Sequence, residues 1–198
     1  MNFLAHIYLS GSNDEIKIGN FIADGVKGNS YQKYKPDIQT GILMHRDIDY
    51  FTDNHSISAE SRNRIHEIYG KHSGIAIDIF YDHFLAKYWN DFSKESLRSY
   101  VYHFYFLALL NYSILPLRLK HAFPFMVLNN WFRMYSRVDG IENVLVRMSK
   151  FTSLPENTEN AINNFKTYYS DYENEFRAFF KEIQSFISTK YKIDFNEK

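Results

Sequence analysis

The sequence predicts an all-α fold: a single-domain helical bundle with a long C-terminal helix. Three observations point to it. Apolar residues recur at steps of three and four over most of the chain, only 8 Gly and 4 Pro occur in 198 residues, and no run keeps the period of two that marks a half-buried strand. One domain spanning residues 1–198 is long enough to bury a substantial core. Hydrophobic residues make up 45% and aromatics 18%, which excludes a disordered or low-complexity chain.

Taken in order, helices are expected near Asn2–Ser10, Asp14–Val26, Pro36–Thr52, Ala59–Tyr69, Ile75–Asn90, Lys94–Asn111, Leu117–Tyr135 and Ile141–Lys150, punctuated by Gly28, Gly70, Gly74 and Gly140. The last third is the clearest case. Ala161, Phe165, Tyr168, Tyr172, Phe176, Phe179, Ile183 and Phe186 follow steps of three and four, placing them on one stripe of a long helix. Ser153 with Glu156 fits a capping box at its start, with Pro155 in the first turn where its missing N–H does no harm. Residues beyond Lys190 read as an exposed tail. The most apolar run, Val101 to Leu117, is interrupted by His103 and Asn111 and broken by Pro116. It falls short of the roughly 20 residues a membrane helix needs, so it reads as a buried core helix.

The 23 basic and 23 acidic side chains cancel, so no global charge points to nucleic acid or an anionic membrane. Arg62, Arg64, Arg118, Lys120, Arg133, Arg137 and Arg147 offer a patch for an acidic protein, or equally read as solvated helix faces. With no cysteine there is no disulfide, no thiolate nucleophile and no Cys-based zinc site. Any metal must be held by His, Asp and Glu, a donor set that favours Mn, Mg, Fe or Zn. The segment Met1 to Glu15 lacks the positive n-region and cleavage site of a signal peptide, so a cytoplasmic location is expected.

Ionisable residues fall on faces that should be buried. His45 and Asp49 share a face with Ile38, Ile42 and Thr52, one turn apart, and Asp53 extends the row. After Gly74, Asp78 and Asp82 align with Ile75, Ile79 and Ala86, with His83 beside them. An ionised carboxylate alone in an apolar interior costs several kcal/mol, so such groups are paired, protonated or bound to a metal. Asp24, late in an apolar stretch, and His6, between Leu4 and Ile7, are further candidates. Each has a plainer reading. His6 by itself reads as a hydrogen-bonded structural residue, Asp24 as a solvent-facing carboxylate, His45 with Asp49 as a local pair, and Asp78 with Asp82 as partners of Arg46, Arg62 or Arg64. His66-Glu67 is followed by His only at position 72, not at zinc-protease spacing, and there is no GxSxG, GxGxxG or phosphate-binding glycine loop.

Four blocks carry a specific resemblance: Met1-Asn-Phe-Leu-Ala-His6-Ile-Tyr-Leu-Ser10; Gly19-Asn-Phe-Ile-Ala-Asp24-Gly-Val-Lys-Gly28; Gly41-Ile-Leu-Met-His45-Arg46-Asp-Ile-Asp49-Tyr-Phe-Thr-Asp53-Asn-His55; and Gly74-Ile-Ala-Ile-Asp78-Ile-Phe-Tyr-Asp82-His83-Phe-Leu-Ala-Lys-Tyr-Trp89. In this order they closely resemble the acyl-carrier-protein phosphodiesterase family, across most of Met1–Trp89. After Trp89 only length and helical character agree.

The resemblance implies a fold related to the HD phosphohydrolases. It also implies hydrolysis of the phosphodiester joining 4′-phosphopantetheine to a serine of holo-acyl carrier protein, with Mn²⁺ favoured and Mg²⁺ or Fe²⁺ as alternatives. The metal pool it implies is Asp24, His45, Asp78, Asp82 and His83, not all binding directly. Asp82-His83 departs from the usual His-Asp order. A divalent ion would activate water and neutralise phosphoryl charge. Arg46 is the expected phosphate-binding group, and His6 or His55 the expected acid for the leaving serine oxygen. The rival readings are an HD-like phosphohydrolase acting on a nucleotide or other small phosphodiester, and a non-catalytic helical interaction module.

Overall fold

The computed structural model describes residues 2–151 and 154–195. Helix α1 (Phe3–Leu9) begins where the Asn2 side chain accepts the Phe3 N–H. Helix α2 (Asp14–Ile22) is capped by Asn13, which accepts from the Glu15 and Ile16 N–H groups, and has two carboxylates in its first turn where the helix dipole favours them. It stops short of the expected Val26. The chain tightens into a 3₁₀ turn over Ala23–Gly25, which carries Asp24. Helix α3 (Pro36–Asn54) starts on a proline, as predicted.

Helices α4 (Ser56–Arg64), α5 (His66–Tyr69), α6 (Ser73–Lys87), α7 (Trp89–Phe92) and α8 (Leu97–Leu110) follow, then α9 (Leu117–Leu128), α10 (Trp131–Met134), α11 (Val138–Phe151), α12 (Thr158–Thr167) and α13 (Tyr169–Tyr191). Among the described residues there is no strand, and no helix is long and apolar enough to cross a membrane.

Several expected helices are divided. The segment Leu117–Tyr135 breaks at Asn130, which sits in the left-handed region at φ 49°, ψ 51°. The C-terminal stripe spans two helices because Tyr168 leaves helical geometry at φ −105°, ψ 26°. The apolar periodicity runs through the break, since Phe165 and Tyr172 are both fully buried. Pro155 lies ahead of α12, not in its first turn, and the proposed cap Ser153 lies outside the described residues. The tail is not a free end. Ile193 fills the space over Gly11, and the Phe195 ring stacks on Tyr8 with centroids 5.8 Å apart.

One core runs through the bundle, with Phe176, Phe179, Phe180 and Ile183 of α13 fully buried against the other helices. Two contacts position the site. Helices α2 and α3 cross backbone to backbone: a Cβ on Gly19 would stand 2.1 Å from the Ile38 carbonyl oxygen, and one on Gly41 would stand 2.1 Å from the Ile16 carbonyl oxygen. The second contact is between α6 and α1, where the buried Asp82 carboxylate accepts the Leu4 and Ala5 N–H groups at 2.9 and 3.0 Å.

Candidate metal centre

At the α2–α3 crossing, the buried end of the site is built around His45. Asn20, fully buried on α2, donates through its Nδ2 to the His6 carbonyl at 2.9 Å and to Ser10 Oγ at 3.0 Å. Its Oδ1 must therefore face His45 Nδ1, 3.0 Å away, and accept from it. That fixes the tautomer of His45 and aims Nε2 at the carboxylates.

Nε2 of His45 lies 3.2 Å from Asp49 Oδ2 and 3.2 Å from Asp24 Oδ1, while the other Asp49 oxygen, Oδ1, lies 3.2 Å from His6 Nε2. The His6 and His45 rings stack at 4.0 Å with 19° between their planes.

Two stacked imidazolium rings would repel, and the two histidines divide accordingly. Burial, followed by the charge on His45, lowers His6 to about 4, so its ring is neutral at pH 7. Burial also opposes charge on His45, but the hydrogen bonds from Asp24 and Asp49 outweigh it and lift its pKa to about 9. Asp49 is held far below the usual carboxylate range: its partial burial is overcome by the bonds to His45 and His6. Asp24 is lowered chiefly by its bond to His45.

A proton on His45 Nε2 thus occupies the point on which two carboxylates converge. One ligand atom each from His6, His45 and Asp49 lies within 4.8 Å of the others. Two imidazoles and a carboxylate form a donor set that fits a divalent ion such as Mn²⁺, Fe²⁺ or Zn²⁺. Asp24, 65% exposed, borders the set on its solvent side.

The other candidates fall elsewhere. Asp82 spends both carboxylate oxygens on the start of α1, and burial raises its pKa to about 7 against those two bonds. Its neighbour His83 has both ring nitrogens engaged, Nδ1 with the Tyr135 carbonyl at 2.7 Å and Nε2 with Tyr169 OH at 2.8 Å. The two are consecutive in sequence but hold different parts of the bundle. Asp78 is half-buried; burial raises its pKa, and the charges of Asp49 and Asp53 add to the effect. Arg46 Nη2 donates to the carbonyls of Val26 and Gly28 at 2.9 and 2.8 Å, bracing the loop that follows Asp24. His55, the residue that ends α3, bonds Glu182 at 3.1 Å and packs on Phe51 and Phe179.

Sequence reasoning counted Asp49 among the inward ionisable groups but left it out of the metal pool, and it passed over Asn20. The signal for both was present. Asn20 and Asp24 are four apart on one stretch, as are His45 and Asp49 on another, so two polar pairs of the same spacing flank the Gly19–Gly41 crossing.

Fold and site together define an all-helical protein with a preformed imidazole–carboxylate cluster fit for a divalent cation. A family model described as acyl carrier protein phosphodiesterase matches residues 1–183, and the chain belongs to that family.

It is 29% identical over 186 residues to the acyl carrier protein phosphodiesterase of Yersinia enterocolitica, covering 93% of this chain and 96% of the relative. It is 33% identical over 150 residues to that of Yersinia pestis, covering 75% and 78%. It is 29% identical over 181 residues to that of Photorhabdus laumondii, covering 91% of each. No solved structure matches the chain.

Proposed function

We propose that the protein hydrolyses the phosphodiester between 4′-phosphopantetheine and the carrier serine of holo-acyl carrier protein, releasing the apo protein, with Mn²⁺ as its divalent ion. The observation that carries the reading is the convergence of His6, His45 and Asp49 in a chain of this family. Kinship with the HD phosphohydrolases belongs to the same proposal; it is supported by a cluster assembled from His and Asp on separate helices.

His6, His45 and Asp49 would hold the divalent ion, which would supply charge neutralisation at the phosphoryl oxygens and a bound water whose pKa falls from about 16 to about 7. The residues do the rest. To hold the ion His45 would be neutral, its Nε2 proton released to solvent, while Asn20 keeps the ring oriented through Nδ1. Asp24, on the solvent side and no longer needed by that proton, would take the proton of the attacking water and return it to the departing serine oxygen. Through Nη2, Arg46 holds the Val26–Gly28 loop that follows Asp24, and its remaining N–H groups would serve the phosphate contact expected from sequence. His6, in contact with Asp49 and buried, serves as a ligand in preference to an acid.

The test is the intact mass of holo-acyl carrier protein after incubation with the enzyme and Mn²⁺, with and without EDTA. Loss of the phosphopantetheine mass only with metal, abolished in His45→Ala, supports the reading. An unchanged carrier mass alongside cleavage of a small phosphodiester would replace it with a small-substrate phosphohydrolase.

A further inference from the structure

Helices α8 and α9 carry apolar side chains on both faces. Their inner faces bury Val101, Phe104, Leu119, Phe123 and Met126. Their outer faces expose Phe106 and Leu110 on α8 and Leu117, Phe125 and Leu128 on α9, Leu128 at 82% and Phe125 at 62%. A surface helix normally turns polar residues outward, and an apolar area of this kind on a folded protein marks a place where something binds.

The charge pattern states what kind of partner that is. From Ser96 to Val138 the sequence has no Asp or Glu, while Arg98, Arg118, Lys120, Arg133 and Arg137 all fall within it, in a chain whose total charge is zero. Arg98, Arg118 and Arg133 are exposed. Exposed apolar side chains and exposed arginines thus share one segment. Asp14 beside His103 and Glu95 on Ser99 are carboxylates that the structure sets against α8, and an apolar surface with excess positive charge suits an acidic partner with an apolar strip.

The same surface abuts the candidate metal centre. A Cβ on Gly25, the residue after Asp24, would stand 2.4 Å from Cγ of Pro116, which immediately precedes α9. Leu117, exposed, is the next residue. A partner seated along α9 therefore lies beside the loop that carries Asp24.

We infer that the outer face of α8 and α9 is where the acidic surface of the carrier protein docks, delivering its phosphodiester past Pro116 to the cluster. The inference rests on the proposed function and adds to it the surface used.

The experiment separates the two. Affinity for fluorescently labelled holo-acyl carrier protein is measured in EDTA, where no hydrolysis occurs, at low and high salt. The wild type is compared with Arg118→Glu, Phe125→Ser and, as a control on α13, Lys181→Glu; circular dichroism checks that each variant folds. The kinetic constants with Mn²⁺ are then measured.

The expected result is affinity at least tenfold weaker for Arg118→Glu and Phe125→Ser, with KM raised in parallel, kcat within about twofold, and no change for Lys181→Glu. Wild-type binding should weaken as salt rises. Wild-type turnover with unaltered affinity in both variants overturns the docking surface and leaves the function standing. Absence of carrier turnover by the wild type overturns the function and the docking surface with it. Two further results overturn the docking proposal when carrier affinity is unaltered: a concentration-dependent dimer lost in Phe125→Ser would assign the face to a second copy, and co-sedimentation with anionic vesicles lost in Arg118→Glu would assign it to a membrane.

Discussion

His45 Nδ1 donates to Oδ1 of Asn20, and this bond decides what the rest of the site can be. Because the Asn20 amide nitrogen is committed to His6 O and Ser10 Oγ, the carboxamide cannot flip without losing two bonds, and His45 is left with only Nε2 to offer a cation.

Asn20→Leu keeps the volume and removes the acceptor. Loss of such a supporting bond typically lowers metal affinity by about 10–100-fold. Titration of the apo protein with Mn²⁺, followed by calorimetry, should show a fall in that range, and an unchanged affinity would remove Asn20 from its orienting role.

The metal-free protein should lose stability between about pH 6.5 and 9. The pKa of His45 is raised on folding to about 9, so its contribution is complete below the unfolded value near 6.5 and disappears as pH rises through 9. The size is of the order of 1–3 kcal/mol, the lower part reflecting the solvent exposure of Asp24 and Asp49. His6 and Asp82, with folded values of about 4 and 7, act mainly at lower pH and in opposite directions: stability rises with pH through the His6 window, from about 4 to 6.5, and falls with pH through the Asp82 window, from 3.8 to about 7. Urea titrations in EDTA across this range should show the decline in the wild type and a flatter profile in His45→Gln.

Gly41→Ala should be severely destabilising, because its Cβ would meet the Ile16 carbonyl oxygen at 2.1 Å and backbone cannot swing aside. A loss of about 3 kcal/mol or more is expected from overpacking at a helix crossing. Gly28→Ala is the contrast. Its φ is +53° but no atom lies within 4 Å of the added carbon, so only the left-handed strain of about 1–2 kcal/mol applies. Thermal unfolding of the two variants should rank them in that order.

Asp82→Asn tests the link between α6 and α1. The amide oxygen can accept from Leu4 N or Ala5 N as the carboxylate does, but the NH₂ that replaces the second oxygen faces a donor. One buried N–H left without an acceptor costs about 1–3 kcal/mol. Since His6 follows directly in α1, Mn²⁺ affinity should fall together with stability. A variant that loses stability yet binds Mn²⁺ as the wild type does would show that α1 is held by other contacts.

Much of this protein was determined by local sequence. The three-and-four spacing of apolar residues gave the helices and the buried stripe of α13, and the lack of cysteine limited any metal site to His, Asp and Glu. His45, Asp24 and His6 were all legible as ionisable groups on apolar faces, because burying a charge without a partner is too unfavourable to be accidental.

What only the tertiary structure decided is which of these groups meet. Asp82 and His83 looked as suitable as Asp24 and His45, but α6 delivers Asp82 to the N–H groups of α1 and His83 to Tyr135 and Tyr169. Asp49 gained its role from the stacking of His6, which is far away in sequence, on His45. Periodicity states which face of a helix is buried and says nothing of what lies opposite; here the close approach at Gly19 and Gly41, set by backbone sterics, placed Asn20 and Asp24 against His45 and so formed the site.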